Sequence, residues 1–225
     1  MTVDFYYKLM LFILNKSQSG GNLSPDDFNR TINMAQNSYV AYLTGTFQSY
    51  QLGRPIAKTE LGQNSVVRQR LSPVIYGYNL HVDSTGFSPY PGDYLQTDAM
   101  WTLYNYNRIR YCDGDKWWAN YNSKIDPPLY TKPIYRLRDT GFEFAPTNIF
   151  MAKVDYVRVP PEIVWGYSLD SVGRPVYDPA LSAEPIWDSV SALEIISRAL
   201  QQVGVNLQFG QVQQYAKDIK DISGQ

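Results

Sequence analysis

Residues 147–161 read TNIFMAKVDYVRVPP and carry the clearest strand signal in the chain. Phe150, Ala152, Val154 and Tyr156 recur at period two and share one face, while Lys153 and Asp155 point to the other. Pro160 and Pro161 end the run, because proline has no N–H to give a sheet ladder. The pattern predicts a strand central in a sheet, with helical segments before and after it, and hence an α+β fold.

Working outward from this strand, the middle of the chain is β-rich. Residues 134–137 and 141–144 read as a hairpin around residues 138–140, and residues 99–105 (AMWTLYN) as a further strand. Residues 66–82 predict one or two strands around Pro73, and residues 85–94 a Gly/Pro loop. Residues 108–112 and 116–121 flank Asp113-Gly114-Asp115, which predicts a hairpin turn. Beyond the double proline, residues 162–169 and 175–177 fit a last hairpin turning at residues 171–173.

Both ends of the chain switch to helical spacing. Residues 3–16 place Val3, Tyr6, Tyr7, Met10, Leu11 and Leu14 on one stripe. A second helix starts with Ser24 as N-cap, Pro25 at the first position, and Asp26 and Asp27 in the first turn. Leu23 and Phe28 form a hydrophobic staple, and the stripe runs through Ile32, Ala35, Tyr39 and Leu43. The opposite side is amide-rich, with Asn29, Asn33, Gln36 and Asn37. The short link between the two predicts a helical hairpin over residues 1–44. Near the C-terminus, Asp188 or Ser191 caps a helix whose stripe is Val190, Leu193, Ile196, Leu200 and Val203, with Gly204 as its stop. Residues 209–221 fit a final helix. The expected organisation is a helical hairpin (1–44), an extended arm or loop (45–65), a β-rich centre (66–180) and C-terminal helices with a tail (181–225). These form one domain plus an arm.

Composition narrows the function. The chain of 225 residues has 20 basic and 21 acidic side chains, a balance without the basic footprint of a nucleic-acid binder. Cys112 is the single cysteine and His81 the single histidine, which excludes a disulfide framework and multi-histidine metal sites. Residues 5–14 are the most apolar run, but ten residues fall short of the roughly 20 that a membrane helix needs. They also lack the basic leader and cleavage site of a signal peptide, and read as a packed helix. Aromatic residues make up 15% of the chain, with 19 Tyr, against 18% charged residues. Such rigid amphipathic groups serve interfaces, or an aromatic-rich β core.

No nucleophile elbow, phosphate-binding loop or dinucleotide fingerprint is present. Asp113 and Asp115 read as turn chemistry, not as metal ligands. His81 reads as a structural histidine and Cys112 as a buried, inert thiol. Gly53-Arg54-Pro55 and Gly173-Arg174-Pro175 are turn punctuation. Trp117 and Trp118 adjoin on an expected strand and so point to opposite faces, one core and one exposed beside Tyr121. Arg68/Arg70, Arg108/Arg110 and Arg136/Arg138 each put two guanidiniums on one face of a strand. There they pair with acidic groups across a subunit interface or form a solvated face. Residues 45–65 (GTFQSYQLGRPIAKTELGQNS) have no period. They read as an arm that orders on a neighbouring subunit, or as a surface loop.

Three stretches resemble a family of virion structural proteins from tailed bacteriophages of Bacteroides-type hosts, including crAss-like phages. They are ILNKSQSGGNLSPDDFNRTINMAQNSY (13–39), TKPI (131–134) with VDYVRVPP (154–161), and YDPALSAEPIWDS…VGVNLQFGQVQQY (177–215). The resemblance implies a head–tail connector: a closed ring beneath the portal, often of twelve copies, that adapts it to the tail. It implies no enzyme activity and no cofactor. The expected partners are further copies of the chain, the portal protein and neighbouring ring or tail proteins, with DNA passing non-specifically through the lumen and no membrane. Synthesis is expected in the host cytoplasm and residence in the virion. The expected interface residues are Phe47, Tyr50, Leu52, Arg54, Trp117, Trp118 and Tyr215. The large β centre departs from a generic adaptor. The alternative is a tail-associated carbohydrate- or receptor-binding module built on Trp117, Trp118 and Tyr121.

Overall fold

The computed structural model describes residues 1–16, 23–45 and 65–204. The helices are α1 (Val3–Lys16), α2 (Pro25–Leu43), α3 (Ser65–Leu71), α4 (Gly114–Tyr121) and α5 (Ser189–Gln202). The strands are β1 (Ile75–His81), β2 (Phe87–Pro89), β3 (Tyr94–Thr102), β4 (Arg110–Tyr111), β5 (Ile134–Leu137), β6 (Gly141–Ala145), β7 (Met151–Arg158), β8 (Tyr167–Leu169) and β9 (Pro175–Tyr177). The mixed α+β class follows, with helices at both ends of the chain and the strands between.

The chain divides into two compact units. The first holds residues 1–16, 23–45, 65–73 and 160–204 of the described chain, and the second residues 74–159. Both boundaries fall inside the stretch 66–180 that the sequence groups as one β-rich region.

In the strand unit, β7 is central in the three-stranded antiparallel sheet β1-β7-β3. A second sheet runs β2-β6-β5-β4, with β4 parallel to β5. Ala152, Val154 and Tyr156 of β7 are buried on one face as the alternation requires. They join Leu80, Met100, Phe142, Phe144 and Ile149 in one core cluster. Phe150 departs from the expected pattern, because it is exposed and precedes the strand. Ile149 takes the core position there, so the alternation slips by one residue at the turn entering β7. The hairpin β5–β6 forms where the sequence places it. Gly141 opens β6 because a Cβ there would clash with the carbonyl oxygen of Ser88 on β2.

Two strand expectations and one loop expectation are corrected. Residues 66–71 belong to helix α3, not to a strand. That turn buries Leu71 and aims Arg70 at Glu194 of α5, 3.1 Å away, which outweighs the β preference of Val66 and Val67. Residues 116–121 belong to helix α4, so no hairpin turns at residues 113–115. Asp113 takes the N-cap position there with an extended backbone, and Asp115 sits in the first turn. Aspartate and glycine serve a helix start as readily as a turn. The expected loop over residues 85–94 contains the short strand β2.

In the helical unit, α2 begins at its predicted cap: the Ser24 hydroxyl accepts from the Asp27 amide at 3.1 Å. Phe28, Ile32, Ala35 and Tyr39 are buried, and the Tyr39 hydroxyl donates to Ser191 of α5 at 3.0 Å. The α5 cap is Asp188, which accepts from the Ser191 amide, and Gly204 follows the helix with φ +93°. Val190 and Val203 of the predicted stripe are exposed, while Ala192, Ile195 and Ala199 are buried instead. On α1 the buried stripe is Val3, Tyr6, Tyr7, Met10 and Leu14 with Leu9 and Ile13, and Leu11 is only half-buried.

The amide side of α2 binds chain. Asn29 accepts from the Trp165 amide at 2.8 Å and donates to its carbonyl at 3.3 Å. Asn33 does the same for Ile163 at 2.9 and 2.8 Å. Gln36 donates to the Pro161 carbonyl at 2.9 Å and accepts from the Trp187 indole at 2.8 Å. Four helical residues rise about 6 Å and two extended residues about 6.6 Å, so side chains one turn apart meet every second peptide of an extended segment. Residues 161–165 are therefore a segment clasped by α2, and the last hairpin is confined to β8 and β9.

Candidate functional site

The aromatic surface of the strand unit is the chemically distinctive region. Helix α4 carries Trp117 and Trp118 at adjacent positions, about 100° apart around the axis. Trp117 is 1% exposed and Trp118 is 60% exposed. One is core and the other surface, as the sequence indicates, but a helix makes the division, not a strand. Trp117 therefore belongs to the packing of this unit and not to its outer surface.

Both indoles meet Arg136 of β5. Its guanidinium lies 4.6 Å from the Trp117 ring centre and 5.6 Å from that of Trp118. The same guanidinium makes two bonds to Glu143 of β6, of 2.8 and 2.9 Å, and Arg138 also donates to Glu143. The Arg136/Arg138 pair does converge on one acid as its spacing suggests, but that acid is in its own sheet. Arg70 likewise finds Glu194 within the chain. Trp118 also meets Tyr121, edge-on at 5.8 Å.

A cleft of about 310 Å³ opens nearby, lined by Arg110, Cys112, Lys116, Asn120, Asp126 and Lys132 among others. Its charges are partly spent, since Lys132 pairs with Asp126 at 3.2 Å. Cys112 is buried and receives a hydrogen bond from the Asn120 amide at 3.1 Å. Asp83, next to His81 and Val82, ties a loop: its carboxylate accepts from the Thr85 amide and hydroxyl and from the Phe87 amide. Those bonds hold its pKa below the usual aspartate value, the Thr85 hydroxyl contributing most. His81 is exposed at the end of β1. Among the described residues, no group of three or more His, Cys, Asp and Glu side chains is placed to hold a metal ion. Among the same residues, no helix is long and apolar enough to cross a membrane.

Sequence reasoning missed the most exposed aromatic group among the described residues. After β3 the chain turns back so that Trp101 bridges Arg108, and Thr102 accepts through its hydroxyl from the Asn107 amide at 3.0 Å. The tip of that turn presents Tyr104 and Tyr106, 71% and 69% exposed, and Phe150 stands beside the same sheet end at 68%. The Tyr104 hydroxyl reaches the sulfur of Met151, the residue after Phe150. Tyr106 has φ +52°, a left-handed backbone that a bulky side chain rarely adopts. Asn105 and Asn107 are the signal that could have found this tip, since asparagine favours turns where tyrosine favours strands.

No protein-family model matches this sequence, and no curated protein matches it. Of the seven expected interface residues, Trp117 and Trp118 are placed as above. Phe47, Tyr50, Leu52, Arg54 and Tyr215 lie outside the described residues, as do most of the expected arm and the expected final helix.

Proposed function

We propose that this chain is a non-enzymatic virion structural protein, a ring subunit at the head–tail junction of a tailed bacteriophage. The observation that carries an assembly role is the Tyr104–Tyr106–Phe150 group. Three large rings stand in water on a backbone held by its own hydrogen bonds. Such a rigid apolar patch suits contact with another protein, where burying each ring is favourable and little side-chain entropy is lost. The resemblance to connector proteins in three stretches of sequence supplies the specific setting. In this reading the partners are further copies of the chain, the portal and the adjoining tail layer. Exposed Trp118 and the arm residues Phe47, Tyr50, Leu52 and Arg54 contribute contact area, as does Tyr215.

Imaging of purified particles and of the isolated protein tests this. The expected result is a ring in line with the portal, and loss of incorporation when Tyr104, Tyr106 and Phe150 are all changed to serine. A monomer with no affinity for portal or tail proteins would sink the reading.

A second reading, a carbohydrate-binding tail module, rests on Trp118, whose exposed ring is braced by Tyr121 and Arg136. Glycan-array binding that disappears in Trp118→Ala would favour it; an array blank for the unaltered protein removes it.

A further inference from the structure

The edges of the sheets are not alike. β2, β8 and β9 are three residues long and β4 two, too short to template another strand. The register of β3 shifts between Tyr94 and Gln96 and again between Thr97 and Ala99, and such irregularities blunt an edge. β1 has none of these protections. It runs seven residues, IYGYNLH, in unbroken register against β7, with no Lys, Arg, Asp, Glu or Pro.

Its hydrogen-bond parity can be read from its end. Val82 donates to the Phe150 carbonyl, which continues the pairing of His81 with Met151. In an antiparallel ladder bonded and non-bonded pairs alternate. Tyr76, Tyr78 and Leu80 thus bond to β7, while Ile75, Gly77 and Asn79 turn their N–H and C=O groups away from it. Among the described residues, no backbone hydrogen bond reaches those outward groups. Near His81 the edge is crowded, because Asp83 donates to Phe87 in the following turn. The open footprint is residues 75–79, and it coincides with the exposed part of the strand, where Tyr76 is 51% and Tyr78 47% exposed.

We propose that this edge pairs with the same edge of a second copy of the chain, antiparallel, about a two-fold axis at Gly77. That register sets Gly77 against Gly77, Ile75 against Asn79, and Tyr76 against Tyr78 of the other copy. The outward groups then form about six backbone hydrogen bonds. The two Tyr76–Tyr78 contacts are non-bonded pairs, where side chains approach most closely and aromatic pairs are favourable. No charge opposes a like charge, and glycine at the axis allows close approach. The centre of the footprint, Tyr76-Gly77-Tyr78, reads the same in both directions, so a two-fold contact sets like against like there, and this favours a copy of this chain as the occupant. A two-fold contact closes on itself, so it joins copies in pairs whether or not a larger ring forms. The inference stands apart from the ring reading.

Sedimentation equilibrium of the full chain from micromolar to submillimolar concentration tests it. The unaltered protein is expected to form dimers. Asn79→Pro removes an outward N–H and no bond to β7, so the thermal melt holds while the dimer weakens by about tenfold or more. Tyr76→Lys with Tyr78→Lys places like charges at both contacts and gives monomer. Tyr76→Lys with Tyr78→Glu places opposite charges there and restores the dimer. A protein monomeric throughout the range overturns the proposal. So does a dimer unaffected by Asn79→Pro, or one that responds alike to the Lys/Lys and Lys/Glu variants. Should Asn79→Pro fail to fold, the two charge variants decide alone.

Discussion

Both units of this protein bury aromatic rings, Tyr7 against Trp165 in the helical unit for example, but they add different chemistry to that burial. In the strand unit, rings pack on rings: Phe142 meets Tyr90, Tyr94, Tyr135 and Phe144 within centre-to-centre distances of 4.7 to 6.3 Å. In the helical unit, side-chain amides and carboxylates hold remote backbone and indole groups: Asn29, Asn33 and Gln36 clasp residues 161–165, and Asp4 takes the Trp165 indole at 3.2 Å. Burial of apolar area is non-directional and tolerates repacking, whereas a buried amide pair fails outright if one partner is lost. Lost ring volume should therefore weigh most in the strand unit, beside its Arg136–Glu143 ion pair, and lost side-chain-to-backbone hydrogen bonds in the helical unit.

The largest effect is expected for Phe142→Ala, which empties the centre of the ring cluster. A loss of about 4 kcal/mol is expected in urea unfolding, with amide exchange rising first in β5, β6 and β7. A loss under about 1 kcal/mol would show that the cluster collapses around the gap. Glu143→Ala leaves Arg136 without its bidentate partner, and a loss of about 3 kcal/mol is expected. Glu143→Gln should recover part of it. Alkaline pH makes a third test. Burial pushes the Tyr135 hydroxyl up to about 12 in the folded chain. The folded state then holds its proton where the unfolded tyrosine, near pH 10, releases it. This stabilisation is complete below pH about 10 and is lost as pH rises toward 12, by about 2 to 3 kcal/mol. Tyr135→Phe should make the fall over that range shallower, the remainder belonging to other buried tyrosines such as Tyr6 and Tyr156, and an unchanged profile contradicts the account.

For the helical unit, Asn33→Ala strips both bonds from Ile163 and should cost about 2 kcal/mol. The released exchange is expected at the Ile163 amide, and Asn33→Ser should not rescue it, because the shorter side chain cannot span the peptide. Ser24→Ala is the smallest effect, about 1 kcal/mol for the loss of one cap bond. If Asn33→Ala proves no worse than Ser24→Ala, the contrast between the units falls.

The same contrast explains which parts were legible beforehand. The strand β7, the hairpin β5–β6 and the helices α1, α2 and α5 follow from period, caps and turn residues that lie within each segment. The amide side of α2 reads only as amide-rich, because nothing in Asn29, Asn33 and Gln36 announces a segment more than a hundred residues away. The tip at Tyr104 and Tyr106 was hidden by tyrosine's preference for strands. The Trp117–Trp118 pair was half legible: adjacency requires different directions in either structure, but only the helix turns both indoles toward Arg136.

Sequence by itself determined the α+β class, the central place of residues 151–158 and the ends of the longer helices. Each of those rests on many local preferences that agree. Tertiary structure alone decided that residues 65–71 and 114–121 coil instead of extending, and which polar face is buried. Segments of seven or eight residues are too short to stabilise either form alone. Their state is set by partners such as Glu194 and Arg136, which the folded chain brings to them from far along the sequence.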